Sequence, residues 1–337
     1  MKLFEICKCY LRRNKFYKKH CQTHVNNLRY FTRSLRYYFR EYSYKKDKDV
    51  IGNTLYFIID PRICHPGLAD RLKAIVGSYF IAKKNGFEFK IIFEHPFNLN
   101  KYLDQNEIDW VARASDLSYS LKNSRIIPYN GGGKVPHLSK KVKQYHIYSY
   151  IGYDILETNN IPNYQHLWGE LFRSLFKPTK LLQDSLDLIP LKENEFIAVH
   201  IRFVNALEHF EDNEFNIISK EEKEDLIRRC DDAINKIMIS NPNSKVVVFS
   251  DSQIYLNHAK SRLDVIVLDG KIGHISFSNN EEAVLKTFID FFTISKSSFT
   301  IRLLAPEIYA TVFSYYAAIS GLKRCEDYFL TETVIKN

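Results

Sequence analysis

Short apolar runs alternate along this chain with stretches whose apolar positions recur every three or four residues. The run TLYFIID (residues 54–60) predicts a buried strand, and the breakers Pro61, Pro66 and Gly67 predict a loop after it. Leu72, Ile75, Val76, Tyr79 and Phe80 recur at i, i+3, i+4, i+7 and i+8, which predicts an amphipathic helix ending near Gly86. FEFKIIF (residues 87–93) predicts a second strand. Strand, helix and strand in about 40 residues make a βαβ unit, and so a parallel sheet. The middle is less regular. NGGGKVPH (residues 130–137) reads as a loop, and a helical stretch around residues 163–185 is stopped by Pro190.

A second series follows. Strands are expected over residues 195–201, 245–251, 264–270 and 299–303, and helices over 219–239, 281–295 and 311–320, with Thr311 or Ser314 at the last N-cap. The pattern predicts two Rossmann-like α/β domains, at residues 49–185 and 186–337, facing across a cleft and linked near residues 177–194. Such a cleft is a favoured place for a ligand.

Charge sets the first 48 residues apart. They hold 14 Lys and Arg against three Asp and Glu, a net +11, while the whole 337-residue chain carries +9, so the remainder is near −2. The basic character belongs to a mostly helical N-terminal extension. The folded part shows no preference for nucleic acid. In the extension Phe16, Tyr17, Tyr30, Phe31, Leu35, Tyr37, Tyr38 and Phe39 are mixed with Lys and Arg. That mixture suits an anionic membrane surface, and it equally suits a solvated, partly helical tail. No apolar stretch reaches the length of a membrane span, and no secretory signal opens the chain. The six cysteines are scattered, as in a reduced cytosolic protein; among Cys7, Cys9, Cys21 and His24 the Cys-x-Cys spacing is tight for a zinc ligand pair and the usual second pair is missing.

The chemistry gathers at strand ends. VHIRFVN (residues 199–205) places His200 and Arg202 at the end of an apolar run. The planar fork of an arginine suits a phosphate, although His-x-Arg by itself also fits a structural histidine. FSDS (residues 249–252) ends the next strand; Asp251 offers acceptors for a base or ribose, and Asp251 and Ser252 equally suit a helix cap. TVFSYYAA (residues 311–318) opens a helix whose N-terminus favours an anion. In HPGLADRL (residues 65–72), Gly67 opens a turn and Asp70 and Arg71 occupy a first helical turn. An arginine there is electrostatically unfavourable, so it needs a partner or a ligand.

These segments, in this order, resemble the α1,2/α1,6/protein-O-fucosyltransferase superfamily over roughly residues 53–320. HPGLADRL resembles its Gly-Leu-x-Asn-Arg-Leu loop, VHIRFVN its His-x-Arg-x-Gly-Asp motif, and VFSDS and residues 290–318 its later motifs. The resemblance implies a GT-B fold, a GDP-fucose donor, inversion at the anomeric carbon and no essential metal or other cofactor. It implies that Arg202 grips the β-phosphate, that His200 shapes the donor pocket and that Asp251, with Ser252 beside it, faces the guanosine. Thr311, Phe313 and Ser314 would contact the diphosphate. Gly67, Asp70 and Arg71 would close the site from the other domain, and His274 would line it. The chain departs from the motif at Val204, where glycine is usual, and at Asn205, where aspartate is usual; Ala69-Asp70 stands where the loop has Gly-Asn.

The expected activity is fucosyl transfer to a glycan hydroxyl in surface polysaccharide or lipopolysaccharide synthesis, in the cytoplasm or peripherally on the inner face of the membrane. The acceptor must lose a proton, and Glu208, Glu211 and Asp212 follow the motif as candidate bases, or as ordinary surface acids. The alternatives are another nucleotide-sugar donor, or a non-catalytic nucleotide-sugar or glycan-binding protein on the same fold.

Overall fold

The apolar run at residue 54 forms a strand buried at all five positions, as its composition requires. In chain order the strands are β1 (Thr54–Ile58), β2 (Glu88–Ile92), β3 (Leu103–Gln105), β4 (Ser124–Ile126), β5 (Gln144–Tyr148), β6 (Phe176–Pro178), β7 (Phe196–Ile201), β8 (Lys245–Ser250), β9 (Ile266–Val267), β10 (Phe299–Leu304) and β11 (Cys325–Phe329). The helices are α1 (Leu68–Asn85), α2 (Ile155–Thr158), α3 (Tyr164–Leu175), α4 (Lys180–Asp187), α5 (Lys220–Ser240), α6 (Gln253–Arg262), α7 (Glu281–Ser295) and α8 (Phe313–Ser320). This computed structural model describes residues 32, 35–44, 50, 52–62, 67–127, 134–148, 154–208, 218–273 and 280–330.

The chain divides into two compact units. The first takes in the described residues of Met1–Cys64, with Lys73–Phe93 and Ile108–Pro162; the second takes in those of His65–Leu72, Glu94–Glu107 and Asn163–Asn337. The division is not a single cut in sequence. The loop that opens α1 groups with the second unit, as do α3, β6 and α4.

The first unit holds a four-stranded parallel sheet in the order β2-β1-β5-β4. Residues 35–44, expected in a basic extension, are built into this unit. Tyr37 and Tyr42 are buried and share one cluster with Tyr56, Ile58, Ile92, Ile126 and Tyr148. The Tyr37 hydroxyl donates to Asp60 at 2.5 Å, and its ring stacks on Tyr148 with centroids 4.1 Å apart. Tyr42 Oη lies 2.5 Å from His146 Nδ1. Burial pushes the His146 imidazole down to about 3, so it is neutral near pH 7. The periodicity of aromatic and basic residues here reflects one buried and one exposed face.

The second unit holds a five-stranded parallel sheet in the order β11-β10-β7-β8-β9. Ile197, Val199 and Ile201 of β7 share a core with Leu226, Cys230 and Ile234 of α5 and Tyr255 and Leu256 of α6. The intervening residues of β7 point to the other face, since side chains alternate along a strand. There His200 meets Phe313 of α8. A side chain at Gly169 in α3 would collide with the Ile319 carbonyl oxygen, and one at Gly321 with the Ser295 carbonyl oxygen. Both glycines permit the close approach that seats α8.

Three expectations change. The helix through residues 163–185 is interrupted by β6: Pro178 has no N–H and disfavours helical backbone before it, and Thr179 then caps α4. The strand over 264–270 pairs only at Ile266 and Val267, because it is an edge flanked by the exposed Asp264 and Asp269. The last helix starts at Phe313 with Val312 at its N-cap, whose own side chain makes no cap bond, rather than Thr311 or Ser314. The long α5, by contrast, starts as its sequence indicates: Ser219 and Glu222 form a capping box.

Candidate functional site

The order in which the chain adds strands to the second unit's sheet reverses at β7. Starting from β7, the chain builds outward through β8 and β9, then returns to the other side of β7 through β10 and β11. Ligands of open α/β sheets bind beyond the carboxyl ends of the strands at such a reversal. His200 and Arg202 occupy the end of β7, and His200 is in register with Arg302 of β10.

His200 is buried, and its Nδ1 has no hydrogen-bond partner among the described residues. Burial, reinforced by the charges of Arg202 and Arg302, pushes its imidazole down to about 3. A neutral ring with an open nitrogen can take one hydrogen bond from a ligand. Its centroid is 5.8 Å from that of Phe313. Arg202 keeps about a fifth of its side chain exposed, with Nε 3.9 Å from Asp251 Oδ2.

Asp251 holds the segment after β7. Its two oxygens accept the N–H groups of Phe203 at 2.7 Å and Val204 at 2.9 Å. Burial raises its carboxyl above the usual range, against the pull of Arg202 and these N–H groups. The carboxylate expected to face a guanosine is thus engaged with the backbone that positions Arg202. Val204 adopts φ 52°, the left-handed region. That region costs a β-branched residue about 1–3 kcal/mol, but burying the Val204 side chain returns a similar amount. Glycine at 204 would lose the burial and relieve the strain; alanine would lose the burial and keep the strain. Val204→Gly is therefore expected to be more stable than Val204→Ala by about 1 kcal/mol in urea denaturation, the reverse of the usual order. Alanine proving the more stable would contradict the left-handed assignment.

Asn205 is buried. Glu208 Oε1 accepts from Ser252 Oγ at 2.7 Å and from the Ile254 N–H at 3.2 Å. Ser252 is itself the N-cap of α6 and accepts from the Tyr255 N–H. Glu208, proposed from sequence as a proton acceptor, thus ties β7's following loop to the start of α6, and Ser252 serves the same helix.

At the other side of the reversal, Thr311 Oγ1 accepts the Phe313 N–H at 3.1 Å. Ser314 is fully buried, and its Oγ has no hydrogen-bond partner among the described residues. Arg302, which sequence reasoning passed over, organises this edge. It makes two parallel bonds to Asp327 of β11, Nε–Oδ1 at 2.7 Å and Nη2–Oδ2 at 2.9 Å, and donates to the Thr311 carbonyl at 2.8 Å. An arginine inside the apolar run FTIRLL was the available signal. Tyr309 was also missed; its N–H donates to the Arg202 carbonyl at 2.9 Å.

Gly67 and Asp70 open α1, with Asp70 in the first turn where a helix favours an acid. Arg71 is buried, and its guanidinium lies 5.9 Å from the centre of the Phe97 ring. All these described residues belong to the second unit, so this loop groups with Arg202 rather than with the first unit. Glu211, Asp212, His274 and the cysteines at 7, 9 and 21 lie outside the described residues. Among the described residues no group of three or more His, Cys, Asp or Glu is arranged for a metal ion, and no helix is long and apolar enough to cross a membrane.

No family model matches the sequence, and no curated protein matches it. Solved structures do share its fold. NodZ α-1,6-fucosyltransferase soaked with GDP-fucose superposes with a TM-score of 0.54 at 15% identity, over 80% of this chain and 92% of that one. The fucosyltransferase NodZ from Bradyrhizobium gives 0.53 at 14% identity, over 79% and 92%. A variant of Arabidopsis thaliana FUT1 in complex with GDP gives 0.51 at 11% identity, over 90% and 74%. The fold is the α/β GT-B fold of these proteins, as the motifs led one to expect.

Proposed function

We propose that this chain is an inverting glycosyltransferase of the fucosyltransferase superfamily, which moves fucose from GDP-fucose to a hydroxyl of a glycan acceptor in surface polysaccharide or lipopolysaccharide synthesis. The observation that carries the reading is Arg202 at the reversal point of a five-stranded parallel sheet, its carbonyl bonded to the Tyr309 N–H and the two residues after it bonded through their N–H groups to the buried Asp251. An arginine whose backbone is fixed there, with its guanidinium partly exposed, suits the oxygens of a diphosphate.

In the transfer, the bond between the sugar's anomeric carbon and the β-phosphate oxygen breaks, and its electron pair leaves with GDP. A bond from the acceptor oxygen forms on the opposite face. Arg202 lowers the barrier by meeting charge that grows on the departing diphosphate. His200, neutral and buried, offers a hydrogen bond without adding charge. With Arg202 supplying the cation, transfer is assigned no metal requirement. The acceptor's proton goes to a carboxylate; Glu208 is engaged at α6, which leaves Glu211 and Asp212 as the candidates from the sequence.

The reading is tested by incubating the purified full chain with GDP-fucose and a glycan panel in EDTA. GDP release with fucosylated product is the expected result. Saturating GDP should also raise the melting temperature, since a ligand at about 100 times its Kd adds about 2.7 kcal/mol. Absence of both the thermal shift and turnover overturns the proposal.

We propose that the protein is cytoplasmic and that it can attach peripherally to the inner face of a membrane. The helical residues 35–41 support the membrane contact by exposing Leu35, Arg36, Phe39 and Arg40 together, with Phe39 86% exposed. Paired aromatic and basic residues on one helix face suit an anionic bilayer.

A further inference from the structure

We infer that Tyr309 forms a wall of the subsite for the sugar carried on the diphosphate, and thereby helps determine which donor the chain accepts. The inference rests on the donor reading above and adds a residue that neither the motifs nor the fold assigns. The segment between β10 and α8 is pinned at successive points. Glu307 accepts from the buried Arg229 at 2.6 Å, and Ile308 is buried in the core. The Tyr309 N–H donates to the Arg202 carbonyl, and the Thr311 carbonyl accepts from Arg302. Between these anchors Tyr309 is 48% exposed. The centre of its ring is 5.8 Å from the Arg202 guanidinium carbon. A half-exposed aromatic is unremarkable alone. One fixed by its own backbone to the phosphate-binding arginine is a preorganised surface, because its loop has little freedom left to lose on binding.

Chemistry selects the sugar over the base. In a nucleoside diphosphate sugar the hexose shares an oxygen with the terminal phosphate, whereas the base is separated from it by a second phosphate and a ribose. A phosphate gripped by Arg202 therefore brings the hexose next to the tyrosine first. The C–H face of a sugar, and a 6-deoxy methyl group in particular, packs well on an aromatic ring.

Equilibrium binding of GDP and of GDP-fucose, measured by calorimetry without acceptor, tests this on the full chain. Tyr309→Ala keeps the backbone bond to Arg202, and Tyr309→Phe also keeps the ring. Tyr309→Ala is expected to lose about tenfold in affinity for GDP-fucose, the scale of one aromatic contact, with GDP affinity unchanged. Tyr309→Phe should bind both ligands like wild type. An equal loss for GDP and GDP-fucose, or no loss for either, overturns the inference while the donor reading stands. Wild-type protein that binds neither ligand overturns the donor reading and this inference together.

Discussion

Arg202→Ala is expected to lower kcat/KM for transfer from GDP-fucose by about 10²–10³-fold, the usual effect of removing a group that meets transition-state charge. The fold should survive. Arg202 is partly exposed, and its closest approach to Asp251 is a loose 3.9 Å. Asp251 keeps its two backbone N–H donors in the variant, so the loop after β7 stays anchored. Arg202→Lys separates charge from geometry: it retains a cation but loses the two-pronged fork, and should fall between alanine and wild type. Steady-state kinetics with thermal melting decides the matter. Alanine turnover close to wild type, in a protein that melts normally, would remove Arg202 from the reaction and with it the reading of the whole strand end.

Deleting residues 1–48 should prevent the first unit from folding, despite the look of a detachable tail. The deletion removes the buried Tyr37 and Tyr42 and the hydrogen bonds they make to Asp60 and His146. Emptying the space of one large buried aromatic costs about 3–5 kcal/mol, and a whole domain is stable by only about 5–15 kcal/mol. The truncated protein is expected to be insoluble or to lose a cooperative melting transition in calorimetry. An unchanged melting profile would show that residues 35–44 contribute nothing to the core. Membrane association must therefore be probed by a surface change. Phe39→Asp leaves the buried tyrosines in place, and should reduce sedimentation with phosphatidylglycerol vesicles. Equal sedimentation of the variant and wild type would refute the membrane role of that face.

Both results bear on what the sequence could disclose. Strands buried on two faces are written in uninterrupted apolar letters, so β1, β7 and β8 were legible. β5 was not: its residues QYHIY look polar, yet Gln144 and His146 are buried because they bond to each other, His146 also to Tyr42 and Gln144 also to the Asp116 carbonyl. The same limit applies to the site. His200 and Arg202 could be read from their place at a strand end. Glu208 could not be recognised as a helix anchor, because its partner Ser252 lies 44 residues away. Arg302 meets Asp327 across 25 residues, and only the pairing of β10 with β11 brings them together. Local periodicity carries the elements; partners chosen by tertiary structure leave no local trace.

The left-handed turn at residue 204 also governs how relatives of this chain can be found. A search pattern that demands glycine two places after the arginine passes over it, although its backbone makes the turn that glycine favours. The chain makes this conformation with a valine, and an aspartate 47 residues further on holds it. Chains that make the same turn are better gathered by a description in shapes: a buried strand ending in His-x-Arg, a left-handed residue, and a carboxylate at the end of the neighbouring strand. Under that description the letter at 204 is free to drift, provided whatever occupies it regains through burial what the turn costs.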